Sequence, residues 1–296
     1  MKTIQPFCFT LMVVAVSLCH GLSLSSQTST SSRIRSSLSP GSPGLFPSST
    51  QLHESVTTPS GGGASKSYEK VDWKAVAVYP LGLVAQVSLM FVFLAGVDKV
   101  VAHFSLKVPF VANAIFLYAF NLKSALFSIL PNKRDDGRKM KQENWEYNKR
   151  NIPSWTPPGI AFVFGWPLFT FGLRAYTGAM VVKSTGHFAC PAIMSLMLHL
   201  STGSLWNTVN NVERRLGVSV ILLYSLWLTK AFAALMFYKV DPMAGKLLAL
   251  TLTWLTAACA LETRTWQINP DPNTGKPEPL IPMQHPKWTT KFRWEE

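Results

Sequence analysis

The stretch PSWTPPGIAFVFGW, residues 153–166, decides how the whole chain is interpreted. Proline breaks the interior of a helix, but Pro157 and Pro158 are tolerated in a first helical turn, where the missing N–H would have no partner. The stretch therefore predicts an extended segment followed by a helix that begins near Pro157. Beyond these prolines the chain carries a single charge, Arg174, over a length sufficient to cross a bilayer. Trp155 then lies where an interfacial anchor is expected.

The composition of the chain is typical of an integral membrane protein. Mean hydropathy is positive and only 15% of the residues are charged. The net charge of +13 is spread over loops between apolar segments and accompanies no nucleic-acid-binding motif, so we expect no nucleic-acid partner. Two of the four cysteines lie in the N-terminal leader and two in apolar segments, without a Cys-x-x-Cys pair. We therefore predict neither a disulfide framework nor a metal site.

The first 66 residues are predicted to be a leader. Residues 1–21 have a basic start and an apolar core too short to span a membrane, as in a signal peptide. Residues 22–66 are rich in Ser and Thr and carry no acidic residue before Glu54, as in a disordered segment or a transit peptide. The combination resembles the bipartite leader of a plastid acquired by secondary endosymbiosis, which favours a plastid membrane. A secretory leader with a flexible stalk, and hence an endomembrane, is the alternative.

Six apolar segments, at residues 75–97, 108–130, 158–182, 188–212, 216–238 and 244–262, are predicted to be membrane spans. The second contains Asn113, Asn121 and Lys123 and is alternatively a re-entrant segment. The loop before Trp155 and the Arg214–Arg215 pair place nine basic residues on one side of the membrane, which we call the basic side. We expect an all-α integral membrane helical bundle, with residues 67–107 as an extra span and its connection, 108–269 as the main membrane domain and 270–296 as an extended Pro-rich tail.

The opening stretch resembles the signature of the TspO/MBR family (translocator protein, or tryptophan-rich sensory protein), which is P-x-W-x-P-P followed by Phe and Trp at four-residue steps. The positions that match are Pro153, Trp155, Pro157, Pro158, Phe162 and Trp166. The similarity covers about residues 145–269, with Trp145 and Tyr147 in the preceding loop, Trp206 on the family's third helix and Trp254 on its fifth. It implies a five-helix core. We assign residues 108–130 as the first helix of this core, because they directly precede the loop, and residues 75–97 as the extra helix. In the alternative assignment the two segments exchange these roles.

The chain departs from the family pattern at several positions. Gly203 replaces an asparagine, Asn210 and Asn211 replace a Phe pair, and Glu262 replaces the asparagine of a Leu-Asn pair. A Pro-Tyr pair is Leu250 and Thr251, and the tyrosine of the cholesterol consensus of animal members is missing. A residue-by-residue copy of the animal sterol pocket is therefore not implied.

Residues of three predicted helices recur at helical spacing and are expected to meet in the basic-side half of the bundle. Aromatic walls with few polar groups suit a flat apolar ligand, and the resemblance implies porphyrin, haem or another tetrapyrrole, with sterols in animals. It also implies that the loop from Trp145 to Thr156 covers the pocket. The candidate ligand-binding residues are Trp145, Tyr147, Trp155, Pro157, Pro158, Phe162, Trp166, His199, Trp206, Thr251, Trp254 and Ala258.

Each of these residues also has a purely structural interpretation. Tryptophans anchor helices at interfaces, small residues pack helices within a protomer or between the protomers of a homodimer, and a single His199 is more often a hydrogen-bonded bundle residue than a haem ligand. Arg174, ~24 Å along the helix from Pro158, is expected to snorkel away from the bundle.

Three classes of function remain open. The first is binding of a tetrapyrrole-like or sterol-like ligand from the membrane lipid for transport, sensing or disposal. The second is light-dependent porphyrin breakdown, which would involve Trp166 and Trp254. The third is a ligand-free structural or assembly role in a plastid membrane. No nucleophile–base pair or metal-ligand cluster is visible, so we predict no catalytic residue and no obligatory cofactor.

Overall fold

The structure, a computed structural model, describes residues 70–132, 150–271, 275–284 and 289–295. All of them belong to one compact unit, Lys66–Glu296. These residues are mostly helical, and the single strand-like pairing among them is a bridge between Val71 and Met283. The predicted signal peptide, the transit-like segment, Trp145 and Tyr147 lie outside the described residues. The prediction of an all-α architecture is confirmed.

Helices are labelled in chain order. The first two are α1 (Trp73–His103) and α2 (Phe110–Lys123), the latter followed by the 3-10 turn Ser124–Phe127. A continuous helical stretch comprises α3 (Gly159–Phe164), the π-helical segment π1 (Gly165–Phe171) and α4 (Gly172–Thr185). The remaining elements are α5 (Pro191–Asn207), the π-helical segment π2 (Thr208–Glu213), α6 (Leu216–Val240), α7 (Pro242–Gln267) and a 3-10 turn (Arg293–Glu295).

The helices have the length and surface of membrane spans. Among the described residues, α1, α2 with its 3-10 turn, α6 and α7 are long and apolar enough to cross a membrane. The stretch from α3 to α4 adds about 40 Å of helix at ~1.5 Å per residue. Large apolar side chains such as Val84, Val92 and Leu228 are more than half exposed on these helices. Because such surfaces are stable only in lipid, the chain is an integral membrane protein.

Packing follows the order of the chain in the C-terminal half. α6 and α7 form an antiparallel pair joined at Asp241, whose side chain accepts the N–H groups of Met243 and Ala244 and so caps α7. α5 packs against α6, α4 against α7 and α2 against α4, while α1 packs against α5. The additional N-terminal helix is therefore part of the bundle.

Polar contacts hold α1 at both ends. At the basic side, Asp72 caps α1 through the N–H of Ala75 (3.0 Å) and pairs with Arg215. Near the other end, Asp98 accepts the N–H groups of Phe188 (2.7 Å) and Ala189 (2.9 Å), just before α5. Asp72 and Arg215 are 143 residues apart in the chain, and Asp98 is 90 residues from Phe188 and 91 from Ala189. Because both contacts join α1 to distant segments, they fix its register against the bundle.

The described part of the tail runs as extended chain along the basic side. Trp266 donates its indole N–H to the carbonyl of Glu278 (2.8 Å), and the side chain of Glu278 accepts the N–H of Gly217 (3.2 Å) at the start of α6. Farther along, the N–H of Gln284 donates to the carbonyl of Lys70 (2.9 Å). The tail thus connects the end of α7 with the starts of α6 and α1.

Candidate functional site

Four aromatic side chains from different helical segments, Phe162, Trp166, Trp206 and Trp254, form what we call the aromatic cluster. Trp254 meets Phe162 and Trp166 edge to face, with ring centroids 5.6 and 6.2 Å apart. Trp166 and Trp206, together with Ala258, pack on the same buried group of apolar residues, among them Leu226. The structure therefore brings together five of the residues predicted from the sequence.

Local backbone geometry places Trp254 in this cluster. Its ring lies against Gly165, where even a methyl group would come within 2.8 Å of Cζ2. Gly165 begins π1, and Pro167 within π1 has no N–H to continue an α-helical ladder. The hydroxyl of Thr170 donates to the carbonyl of Gly165 (2.9 Å). The wider helical turn and the glycine together leave room for the indole.

Two donors in the aromatic cluster have no acceptor. The indole N–H groups of Trp206 and Trp254 are buried, and neither has a hydrogen-bond partner among the described residues. Trp227, which packs against the same apolar group, donates its N–H to Thr256 (3.0 Å). A buried donor without a partner costs about 1–3 kcal/mol. An acceptor from outside the protein would remove this cost at each of the two indoles.

A second polar group lies deeper in the bundle. Arg174 is buried and donates from Nη2 to Nε2 of His199 (2.7 Å), with its guanidinium 5.3 Å from the ring centroid of Phe171. Because arginine can only donate, Nε2 of His199 accepts, and Nδ1 carries the single ring N–H proton and donates to the carbonyl of Leu226 (3.1 Å). Both imidazole nitrogens are therefore engaged within the protein. The expectation that Arg174 snorkels was wrong, since an inward hydrogen-bond partner was available to it.

Lys230 on α6 was missed by the sequence analysis. Its side chain is fully buried, and Nζ has no hydrogen-bond partner among the described residues. It is the single charged residue within the first 23 residues of a 25-residue apolar helix. The apolar residues around Lys230 are enough to identify the helix as a membrane span, so the lysine itself received no attention. An ionisable residue inside a span is nevertheless a signal of function.

Comparison with known proteins agrees with this architecture. The family model described as TspO/MBR family matches residues 124–267. This part of the chain belongs to the TspO/MBR family. Protein CrtK of Rhodobacter capsulatus is 25% identical over 126 residues, which is 42% of this chain and 78% of the relative. The translocator protein of Sus scrofa is 28% identical over 127 residues, which is 42% of this chain and 75% of the relative.

The TspO/MBR match begins at Ser124, in the 3-10 turn that follows α2, and ends with α7. The aromatic cluster therefore lies wholly inside the matched region, whereas α1 and residues 110–123 of α2 precede it. The assignment of α2 as the family's first helix stays a prediction, since the match takes in only the turn at its end.

Two asparagines, Asn207 and Asn210, hold the ends of the loop before the signature, and Asn210 departs from the TspO/MBR pattern. Asn210 accepts from Nη1 of Arg150 at its side chain (2.7 Å) and from Nη2 at its carbonyl (2.9 Å). Asn207 donates to the carbonyl of Asn132 (3.1 Å), at the other end of that loop. Burial lowers the pKa of Arg150 from its ordinary value, and Glu262, a second departure, is one of two carboxylates that oppose this shift. The two departures thus both act on Arg150 at the basic side of the bundle.

The remaining predicted residues lie at the margin or within the packing. Trp155 is 52% exposed and Pro158 is exposed, while Pro157 is half-buried on the segment that enters α3. Thr251 is buried and donates its hydroxyl to the carbonyl of Leu248 (2.6 Å) in its own helix. No described contact joins these four residues to the rings of the aromatic cluster.

Proposed function

We propose that the aromatic cluster of this TspO/MBR domain binds a flat, hydrophobic, tetrapyrrole-like ligand that enters from the membrane, for transport, sensing or disposal. Binding, rather than catalysis, is the proposed activity. A sterol-like molecule is the second ligand class that this proposal admits. Rings on four helical segments offer edges and faces to a planar molecule, which is how aromatic walls hold flat apolar ligands.

The observation that carries the proposal is the pair of buried indole N–H groups on Trp206 and Trp254. A ligand with oxygen or nitrogen acceptors would satisfy both donors and remove their desolvation penalty. Trp227 differs from these two tryptophans: its ring packs on the same apolar group, but its N–H donates to Thr256 within the protein. The cluster thus supplies donors where an apolar helix bundle needs none for its own packing.

The proposal is tested by titrating the full chain in detergent with protoporphyrin IX. Binding is followed by the absorption of the porphyrin, so that replacing tryptophans does not change the readout. Saturable binding is expected, and Trp254→Phe and Trp206→Phe should each weaken it about three- to tenfold, the value of a lost hydrogen bond. Trp227→Phe is the matched control and should leave the affinity unchanged.

Absence of saturable binding, with helical content intact by circular dichroism, would overturn the proposal and favour a structural or assembly role. Illumination of the bound sample separates binding from breakdown, since porphyrin absorption would decay in the second case. Cholesterol added as competitor tests the sterol class, which displacement of the porphyrin would support.

We further propose that residues 1–66 direct the protein to a plastid membrane. The support is the succession of a signal-peptide-like segment and a Ser/Thr-rich, acid-poor segment. A fluorescent fusion of the full chain should co-localise with plastid markers. Removal of residues 22–66 should leave it in the secretory pathway; plastid import of the shortened chain would contradict the proposal.

A further inference from the structure

Among the described residues, the middle of the helix bundle contains the basic side chains of Arg174, His199 and Lys230 and no acidic one. Arg174 and Lys230 are both buried, on helices α4 and α6 that pack against each other, and His199 bridges Arg174 to the turn of α6 that precedes Lys230. No carboxylate among the described residues forms an ion pair with either Arg174 or Lys230. Ionisable residues within a span are normally paired, because an unpaired charge in a medium of low polarity is costly.

The described carboxylates are engaged elsewhere, mostly at the ends of helices. Asp72 pairs with Arg215, Asp98 accepts backbone N–H groups before α5, and Asp241 caps α7. Glu262 accepts the hydroxyl of Ser219 (2.6 Å), near the basic side. The charge in the middle of the bundle is therefore not balanced by any acid that the structure places there.

Unused donors accompany this unbalanced charge. Nε of Arg174 and Nζ of Lys230 are buried and have no hydrogen-bond partner among the described residues. His199 lies beside Arg174 but uses both ring nitrogens, one toward Arg174 and one toward Leu226. Two basic side chains whose donors lack an acceptor among the described residues are the complement of an anion.

The three basic side chains lie at similar depth. Measured along their helices from the end opposite the basic side, Arg174, His199 and Lys230 are ~16, ~12 and ~15 Å in, at the rise of an α-helix. The carbonyl of Leu226 accepts from His199, and the side chain of Leu226 belongs to the apolar group beneath Trp166 and Trp206. Leu226 thus connects His199, the partner of Arg174, with the apolar residues on which the aromatic cluster packs.

We propose that Arg174 and Lys230 form a buried anion-binding site that takes the carboxylate of the ligand whose apolar body occupies the aromatic cluster. This inference rests on the proposed function for the position of the ligand's body, and it adds the chemical class: an apolar acid. The carboxylate would accept from both unused donors and would supply the negative charge that the bundle lacks. Uncharged lipids and neutral sterols do not meet this requirement.

The test compares protoporphyrin IX, which has two carboxylates, with its dimethyl ester, which has none. Both are titrated into the full chain, as wild type and as Lys230→Met, a change that keeps the length of the side chain and removes its charge. The matched control is Lys239→Met, the same change at an exposed position on the same helix. Because the ester partitions more strongly into detergent, the decisive quantity is the acid-to-ester affinity ratio compared between variants.

We expect the ratio to fall about tenfold or more from wild type to Lys230→Met, the value of a charge-assisted hydrogen bond, and to stay unchanged in Lys239→Met. Arg174→Gln should lower the ratio in the same way and serves if Lys230→Met does not fold. Equal ratios in wild type, Lys230→Met and Arg174→Gln would overturn the inference. If the ester alone binds in a Trp254-dependent manner, the proposed function stands and the inference fails. If neither probe binds, both fail.

A small inorganic anion such as chloride is the alternative occupant of the proposed anion-binding site. Thermal unfolding of the porphyrin-free protein in chloride and in gluconate, at equal ionic strength, distinguishes the two. A chloride-dependent rise in Tm that is lost in Lys230→Met would overturn the assignment to a ligand carboxylate. Equal Tm values in the two salts are expected.

Discussion

The indole ring of Trp254 rests on the backbone of Gly165, two residues that lie about ninety positions apart on α7 and π1. A Cβ atom on Gly165 would come within 2.8 Å of Cζ2 and 2.9 Å of Cη2 of the ring. Since Trp254 also meets Phe162 and Trp166 edge to face, the position of one indole sets the arrangement of the aromatic cluster. The absence of a side chain at Gly165 is therefore a condition for the site.

Gly165→Ala is expected to displace the ring of Trp254 and to weaken protoporphyrin IX binding by about tenfold. Overpacking of this kind also costs about 1–3 kcal/mol, so the Tm in detergent should fall. Gly172→Ala is the control on the same helical stretch, because a Cβ there meets nothing within 4 Å. Wild-type affinity in Gly165→Ala would show that the ligand does not depend on Trp254.

Lys230→Met is expected to raise the Tm of the ligand-free protein. Burial of a charge without a partner is unfavourable, and its replacement by an apolar side chain of similar length should contribute about 1–4 kcal/mol. Differential scanning fluorimetry in detergent measures the change, with Lys239→Met as the exposed control. A Tm below that of the control would mean that Lys230 has a stabilising partner, contrary to the described contacts.

Asp72→Asn is expected to loosen the attachment of α1. Asparagine keeps the cap on the N–H of Ala75 but loses the charge that pairs with Arg215, and a hydrogen bond between charged groups contributes about 1.5–3 kcal/mol. Tm in detergent should fall accordingly. Asp241→Asn is the control, because Asp241 is also an N-cap and forms no ion pair within the described part of the chain. Equal Tm changes in the two variants would contradict the role of the ion pair.

Gly217→Ala is expected to release the C-terminal tail. A Cβ at this position would overlap the carbonyl oxygen of Pro279, so the tail must move away from the start of α6. Limited proteolysis should then remove a C-terminal affinity tag faster than in the wild type. Gly96→Ala is the control, because a Cβ there meets nothing within 4 Å, and its tag should be removed at the wild-type rate. If the tag of Gly217→Ala is also removed at the wild-type rate, other contacts hold the tail.

Much of the aromatic cluster could be predicted from helical spacing taken together with the family resemblance. Phe162 and Trp166 are four residues apart on one helix face, and Trp254 and Ala258 are four apart on another, so helical periodicity assigned them to common faces. The contact between Trp254 and Gly165 could not be predicted, because spacing within a helix carries no information about the rotation and height of its neighbour. The π-helical turns, which change that rotation, were likewise invisible in the pattern.

Sequence by itself determined that this chain is a helical membrane protein, which side of it is basic, and that it carries a TspO/MBR signature. These properties depend on local composition, since each span must satisfy its own backbone hydrogen bonds in lipid and must be apolar along its length. Tertiary structure alone decided that Arg174 turns inward to His199, that Lys230 finds no hydrogen-bond partner in the part of the chain that the structure describes, and that Asn210 holds Arg150. Such pairings join residues distant in the chain, and only the packing of helices, through side-chain shape and the need to satisfy buried polar groups, determines which of them meet.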